Sequence, residues 1–375
     1  MSQITSFKPR SDRPLVVITD FDFDNVSLET EILEAAGAEV VALQAKREED
    51  LFEVAPDCAA MMNQYAKIGQ KTITRMQKCE VIARYGVGVD IVDVGAASDR
   101  GILVTNVQDY CTEEVADHAI ALWMTLARKL PDYDRATHRG IWKWQSGQPV
   151  YRLRGRTMGV VSLGKIGQAI ATRAQAFGVN VIAYDPFLPA AAAAKFGVEL
   201  VSKPDLLARS DYILMQAPMT PDTHHFLSDA EFATMKPGAI LVNTGRGPTV
   251  DNAALFRALS EGHLAAAGLD DPEEEPAKRA NWTPEDNPLF TLPNVLVRGW
   301  NAICSGSIGL KPVNLPYATT AVFIHAIENP KVATAIGVAC SQKDRSIPQE
   351  VQAFRLCVLR GTQQAWTGWE WIGPP

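Results

Sequence analysis

The chain has 375 residues, a formal net charge of −7 and 47% hydrophobic residues, which is typical of a globular protein with room for two domains. Neither acidic nor basic residues show the excess that marks nucleic-acid binders, so we expect no direct nucleic-acid partner. No apolar run reaches membrane-spanning length, and residues 1–13 lack an apolar core. We therefore expect neither a membrane partner nor a signal peptide.

The six cysteines are scattered, without a C-x-x-C pair or a Cys/His spacing typical of zinc ligands. This pattern indicates reduced thiols, which are usual in a cytoplasmic protein. We accordingly expect a cytoplasmic location and no metal site.

The first part of the chain alternates apolar strands with helical segments. Strands are predicted at residues 14–20, 40–43, 59–62, 81–85 and 101–107. The alternation predicts a small doubly wound α/β domain. The turn at residues 86–90 follows a strand, at the edge where such sheets bind ligands. It is either a plain bend or a pair of exposed amides suited to a carboxylate.

A long apolar-faced helix is predicted from Thr112, which would lead a capping box, through Leu130. His118 lies within it and is interpreted as a packed core histidine, with a ligand or catalytic role as the alternative. Trp142 and Trp144 follow in a loop and are interpreted as packing residues, although aromatic side chains can also line a pocket.

Residues 158–186 have the pattern of a βαβ unit, with a Val-rich strand, a Gly-containing turn, an amphipathic helix and a second strand. Gly164 would let backbone amides approach a pyrophosphate, and Gly167 would let helix and strand pack closely. Asp185 would bind the ribose 2′-hydroxyl and repel a 2′-phosphate, which favours NAD over NADP. Ser162 replaces the first glycine of the usual fingerprint, so a positive φ there would have to be tolerated. The alternative is an ordinary strand-turn-helix.

The alternation continues to residue 269. Strands are predicted at residues 212–215, 239–243 and 265–269, and helices at residues 205–209, 229–235 and 252–260. The fold class is therefore α/β with two doubly wound domains. His224 and His225 fall in a polar loop and are expected to be solvated.

Six motifs in order resemble the D-isomer-specific 2-hydroxyacid dehydrogenases: residues 84–90, 164–167, 184–186, 235–239, 243–247 and 268–276. The match covers residues 14–297 and is similar to the branch that includes the C-terminal-binding-protein corepressors and the phosphoglycerate dehydrogenases. It implies a Rossmann domain inserted into a flavodoxin-like substrate domain. The divisions are 1–108 for the first part of the substrate-binding domain, 109–299 for the dinucleotide-binding domain and 300–375 for an atypical C-terminal segment.

The resemblance also implies NAD as cofactor, a small 2-oxoacid or D-2-hydroxyacid as substrate, and a homodimer. Val87 and Gly88 would hold the substrate carboxylate. Arg246 would bind the carboxylate and polarise the carbonyl, and Glu275 would keep a histidine protonated. The implied cofactor residues are Gly164, Lys165, Ile166, Gly167, Asp185, Ala217, Pro218, Thr244, Gly245 and Asp270.

Trp300 stands where the family has its acid–base histidine, and an indole N–H does not titrate in water. Beyond it the resemblance stops, which indicates either a reading-frame change near residue 297 or a divergent natural ending. Two functions follow. One is an NAD-dependent oxidoreductase acting on the CH–OH group of a D-2-hydroxyacid. The other is a non-catalytic NAD-binding protein, either a corepressor-like sensor or a frame-shifted product.

Overall fold

The computed structural model describes residues 12–107, 111–273 and 282–297. These residues fall into two units, of which the first ends before Cys111 and the second begins there. Glu275, Trp300 and the C-terminal segment 300–375 lie outside the described residues.

The first unit is built on a parallel five-stranded sheet. Its strands are β1 (Leu15–Ile18), β2 (Glu39–Ala42), β3 (Cys58–Asn63), β4 (Val81–Arg84) and β5 (Leu103–Thr105), in the order β2-β1-β3-β4-β5. Its helices are α1 (Ser27–Ala35), α2 (Gln70–Ile73) and α3 (Val94–Asp99), with a 3-10 helix at Glu48–Leu51. This arrangement agrees with the predicted βα repeat.

Strand β1 is buried on both faces, as a parallel sheet covered by helices requires. Its residues alternate between two apolar clusters, with Val16 and Ile18 in one and Leu15 and Val17 in the other. The alternation explains why the strand reads as a continuous apolar run in the sequence.

The second unit contains a parallel seven-stranded sheet. Its strands are β6 (Thr157–Val161), β7 (Asn180–Tyr184), β8 (Glu199–Leu200), β9 (Tyr212–Met215), β10 (Ala239–Asn243), β11 (Leu264–Leu269) and β12 (Val295–Val297). The order is β12-β11-β10-β9-β6-β7-β8. The chain thus moves outward from β6 in one direction and then returns to its other side, which defines a doubly wound Rossmann-type sheet.

Helices cover both faces of this sheet. They are α4 (Thr112–Ala127), α5 (Leu130–His138), α6 (Lys165–Ala176), α7 (Ala190–Ala194), α8 (Lys203–Arg209), α9 (Asp229–Thr234) and α10 (Asn252–Ser260). Short 3-10 helices lie at Trp144–Gly147, Gly247–Thr249, Pro284–Asp286 and Pro288–Thr291. Trp123 and Ile170 pack on one face of the sheet, whereas Leu206 and Leu255 pack on the other.

The predicted single helix through Leu130 is wrong. Helix α4 ends at Ala127, Lys129 adopts a left-handed φ of 55°, and α5 then begins at Leu130. The predicted capping box is also wrong, because Cys111 is the N-cap residue and makes no side-chain cap bond. The left-handed residue redirects the chain, although the apolar pattern continues across it.

Three described cysteines, Cys58, Cys79 and Cys111, are free thiols, as the predicted reduced state requires. Interaction with the Cys79 thiol and burial raise the pKa of Cys58 well above its usual value. In the three described ranges, none of the helices combines the length and apolarity needed to cross a bilayer.

Candidate nucleotide-binding site

The Gly-containing turn between β6 and α6 provides open space at a helix N-terminus. Gly164 is the N-cap residue of α6, and a Cβ built there would meet no heavy atom within 4 Å. A Cβ on Gly167 would instead lie 2.4 Å from the carbonyl oxygen of Ser162. The backbone can therefore be approached at Gly164, while Gly167 permits close packing of helix and strand. Both properties fit the pyrophosphate of a dinucleotide.

The first residue of this turn is strained. Ser162 has a φ of 73°, in the left-handed region that a residue with a Cβ adopts at a cost of about 1–2 kcal/mol. The turn is held all the same, because the Ser162 amide donates to the carbonyl oxygen of Tyr184 at 2.8 Å. The chain thus keeps the fingerprint geometry without the fingerprint glycine.

Asp185 follows β7 and is partly exposed. Its Oδ2 accepts a hydrogen bond from the Leu163 amide at 2.9 Å. Its Oδ1 accepts from the amides of Phe187 at 3.0 Å and Leu188 at 3.2 Å. A carboxylate offers about four acceptor positions, so one remains for a ribose hydroxyl. The same side chain therefore fixes the Gly-containing turn and presents negative charge beside it.

The loops after β9 and β10 lie against each other. Nε2 of Gln216 donates to the Thr244 hydroxyl at 2.5 Å. A Cβ on Gly245 would lie 3.1 Å from the carbonyl oxygen of Ala217, so the glycine permits this close approach. Ala217 and Thr244 are buried, whereas Pro218 is exposed. The four residues implied for the two loops are thus brought together.

Arg246 is half-buried and its backbone is fixed from both sides. Its carbonyl oxygen accepts from Nδ2 of Asn243 at 3.0 Å and from the Thr249 hydroxyl at 2.6 Å. Its guanidinium Nη1 donates to the carbonyl oxygen of Gly245 at 3.1 Å. The loop geometry is therefore set by uncharged partners, and the cation is anchored at the end of β10.

Asp270 follows β11 and is 1% exposed. Its amide donates to the carbonyl oxygen of Asn243 at 3.0 Å, and its Oδ1 lies 3.6 Å from Nε2 of His118 on α4. His118 is mostly buried, as interpreted from the sequence, but its neighbour is an implied cofactor residue. Helical periodicity predicts which face is buried and does not identify a partner from a distant strand.

The first unit contains the residues implied for the substrate carboxylate. Val87 and Gly88 lie in the turn after β4 and are half-buried. Nδ2 of Asn106 donates to the Val87 carbonyl oxygen at 2.6 Å. Within residues 12–107, neither the Val87 amide nor the Gly88 amide donates to a protein acceptor. The turn is thus anchored through a carbonyl and leaves two donors for an anion.

The second unit therefore has a sheet of seven parallel strands, and five loops at the carboxyl ends of these strands are suited to ligand binding. The first of these loops leads into Lys165 and Ile166, in the first turn of α6. Such a unit defines the class of dinucleotide-binding α/β proteins. The sequence profile of the "D-isomer specific 2-hydroxyacid dehydrogenase, NAD binding domain" matches residues 120–302. The chain belongs to the D-isomer-specific 2-hydroxyacid dehydrogenase family, and its nucleotide is NAD.

Two individual relatives support this family assignment. The chain is 39% identical over 251 residues to the glyoxylate reductase of Korarchaeum cryptofilum, covering 66% of this chain and 74% of that protein. It is 40% identical over 266 residues to the D-3-phosphoglycerate dehydrogenase of Methanocaldococcus jannaschii, covering 71% of this chain. This chain spans 49% of that dehydrogenase, about half its length.

A solved structure shows the same fold with the nucleotide in place. The D-lactate dehydrogenase of Aquifex aeolicus, complexed with NAD and lactic acid, matches with a TM-score of 0.70 at 26% identity. The match covers 76% of this chain and 87% of that one.

We expect Ser162→Gly to raise the free energy of unfolding by about 1 kcal/mol, because glycine adopts the left-handed conformation without a Cβ penalty. Urea unfolding measures the change. Ser162→Ala is the control, since alanine removes the hydroxyl and keeps the strain. An equal gain in both variants would contradict the backbone explanation.

We expect Asp185→Asn to shift the ratio of NADH to NADPH affinity toward NADPH by about tenfold or more, because the repulsion of a 2′-phosphate is lost. Fluorescence titration with each nucleotide gives the ratio. Asp211→Asn is the control, because Asp211 also accepts a backbone amide, from Thr157 at 2.9 Å, and binds Arg156. An unchanged ratio in Asp185→Asn would exclude this role.

Proposed function

We propose that the chain is an NAD-dependent oxidoreductase that oxidises the CH–OH group of a D-2-hydroxyacid or reduces the 2-oxoacid. We assign substrate binding to residues 1–108 and nucleotide binding to residues 109–299, in a cytoplasmic protein with reduced thiols. The observation that carries the proposal is the anchored Arg246, directly after Thr244 and Gly245 in the nucleotide loops. Bound NAD supplies the hydride donor or acceptor.

Arg246 suits the charge that develops in this reaction. A 2-oxoacid presents a carboxylate beside a carbonyl whose oxygen becomes negative as hydride reaches C2. A guanidinium offers several donors in a fixed plane and stays protonated near neutral pH, so it can bind both oxygens. The bonds from Asn243 and Thr249 to its carbonyl oxygen keep the backbone of Arg246 in place.

The turn at Val87 and Gly88 in the first unit suits a substrate carboxylate. The amides of Val87 and Gly88 are the donors that we assign to it. Backbone donors bind an anion without a competing countercharge. Simple alcohols lack this carboxylate, so the contact would favour 2-hydroxyacids over them.

The second candidate is an NAD-binding protein without turnover. The observation that favours it is Trp300 in place of the family's histidine, because Trp300 cannot deliver the proton that the 2-oxo group requires. Loss of general acid catalysis typically lowers rates by about 10²–10⁴-fold. Glu275, which we assign to the proton-transfer machinery, would then have no histidine to orient.

We expect the purified full chain to bind NADH and to oxidise it with at least one 2-oxoacid from a panel running from glyoxylate and pyruvate to hydroxypyruvate and bulkier acids. Arg246→Lys should lower kcat/KM by about 10²-fold or more, because the planar fork is lost, and should leave the NADH Kd nearly unchanged. Absorbance at 340 nm gives the rates, and fluorescence titration gives the binding.

The two candidate functions predict different results in these assays. NADH binding without turnover on any acid of the panel would support the non-catalytic protein. Turnover that Arg246→Lys does not reduce would contradict the role assigned to Arg246. Failure to bind NADH would overturn both candidates.

We further propose a homodimer formed through the segment after α4. This segment exposes an apolar surface, with Trp142 88% and Trp144 67% exposed. The interpretation of both as packing residues is therefore wrong for the described chain. Other exposed apolar side chains nearby in sequence are Leu130, Ile141 and Tyr151. Such a concentration of large apolar side chains is typical of an interaction surface.

We expect the combined change Trp142→Ser and Trp144→Ser to raise the dimer Kd by on the order of a hundredfold, because buried tryptophans dominate interface energies. Light scattering over a concentration series measures the mass. Phe187→Ser is the control, because Phe187 is 87% exposed and lies outside the segment. A monomeric parent chain, or equal effects of both changes, would contradict the proposed interface.

A further inference from the structure

The loops after β9 and β11 bring together two histidines and a carboxylate, none of which is among the residues assigned to the nucleotide. His224 and His225 follow β9, and Glu273 follows β11. Their ligand atoms all lie within 4.8 Å of one another. Nε2 of His225 is 2.7 Å from Oε1 of Glu273, and the two imidazole rings stack with centroids 4.0 Å apart.

The histidine pair is fixed by its backbone. His225 has a φ of 47°, and its amide donates to the carbonyl oxygen of Pro248 at 2.8 Å. Leu227 then forms an isolated parallel bridge with Val250. The loop after β9 is thus bonded to the loop after β10 at His225, a residue with a left-handed backbone. Strain of this kind often occurs at functional sites.

The carboxylate is fixed as well. A Cβ on Gly247 would lie 2.6 Å from the Glu273 amide nitrogen and 2.6 Å from the Asp271 carbonyl oxygen. The absence of a side chain at Gly247 lets the backbone before Glu273 pack against the loop after β10. Three loops therefore converge on one point.

Asp251 lies behind the His225 ring. Its Oδ2 is 3.8 Å from Nδ1 of His225, and its Oδ1 accepts from the Ala254 amide at 3.0 Å. The bond from Ala254 lowers the pKa of Asp251, so the carboxylate is ionised near neutral pH. A carboxylate that accepts a hydrogen bond from the far nitrogen of the imidazole commonly supports a metal-bound histidine. At 3.8 Å the Asp251 carboxylate is near that position, and a small movement of the ring would complete the bond.

We propose that His224, His225 and Glu273 form a binding site for a divalent transition metal ion such as Zn²⁺. Two imidazoles and one carboxylate are a ligand set that zinc uses, with water in the fourth position. Tetrahedral geometry at about 2.1 Å requires ligand atoms about 3.4 Å apart. The pair formed by His225 and Glu273, now 2.7 Å apart, therefore opens on binding, and the ligand atom of His224 adjusts its position to complete the set. His224 is exposed, and its side chain is free to make most of that movement.

Metal binding replaces one hydrogen bond with two coordination bonds. Nε2 of His225 gives up its bond to Glu273, and both groups then coordinate the ion. The ion ties the loops after β9 and β11, and Asp251 contributes the support from the loop after β10. The bound form is therefore stabilised against unfolding, by an amount that rises with the logarithm of the ion concentration once that concentration exceeds the Kd.

The test uses the full chain without a histidine tag, freed of metal with a chelator and dialysed. Titration with ZnCl₂ against a chromophoric chelator should show one equivalent bound, with a rise in Tm. Asp251→Asn should weaken binding by about tenfold, and Glu273→Gln and His224→Ala should each weaken it further. Co²⁺ should give d–d absorption without a thiolate charge-transfer band, which separates this site from the cysteines.

His138→Ala is the matched control, since His138 is an exposed histidine whose Nδ1 lies 3.4 Å from Asp134, a pair that lacks a second imidazole. It should bind zinc like the parent chain. No zinc binding by the parent chain, or binding that Glu273→Gln and His224→Ala leave unchanged, would overturn the proposal. NADH titration of the same variants shows that they are folded, so a lost metal site is distinguishable from a failed nucleotide site.

Discussion

The nucleotide site depends on the parallel pairing of β6 with β7 on one side and with β9 on the other. This pairing makes β6 the strand at which the order of the sheet reverses, so the loops on its two sides diverge and leave a crevice. The strand has Gly159 at its centre, where a Cβ would lie 2.3 Å from the Ser210 hydroxyl oxygen. A larger residue would push the end of α8 away and shift the loops that begin at this edge.

Asp185 connects that sheet to the choice of nucleotide. Its carboxylate accepts the amides of Leu163, Phe187 and Leu188, so it holds the turn after β6 to the end of β7. The contacts offset the strain at Ser162, because a turn bonded from a neighbouring strand has little freedom to relax. One side chain thus stabilises the turn and also carries the negative charge that we expect to repel a 2′-phosphate.

Regular elements were predictable because their signals are local. The sequence predicted β9, β10 and α10 with the bounds that the structure shows, since each is a short apolar run or a helical period between clear turns. The break at Lys129 was missed because the apolar pattern continues across it, although Pro131 in the first turn of α5 is a helix-start signal. Trp142 and Trp144 were misread because composition does not distinguish a core from an exposed surface. The cluster of His225 with Glu273 joins loops far apart in sequence, and residue spacing does not report it.

The residues that we assign to nucleotide binding and those that we assign to proton transfer lie in different parts of the sequence. Residues 157–273 contain the Gly-containing turn, Asp185, the loops after β9 and β10, and Asp270, and their contacts lie within the second unit. Arg246 is held there by Asn243 and Thr249. Glu275 and the position of Trp300, to which we assign proton transfer, lie outside the described residues. A change of sequence after residue 297 can therefore remove the proposed proton transfer and leave intact the groups that we assign to NAD, so binding without turnover is a physically consistent state of this protein.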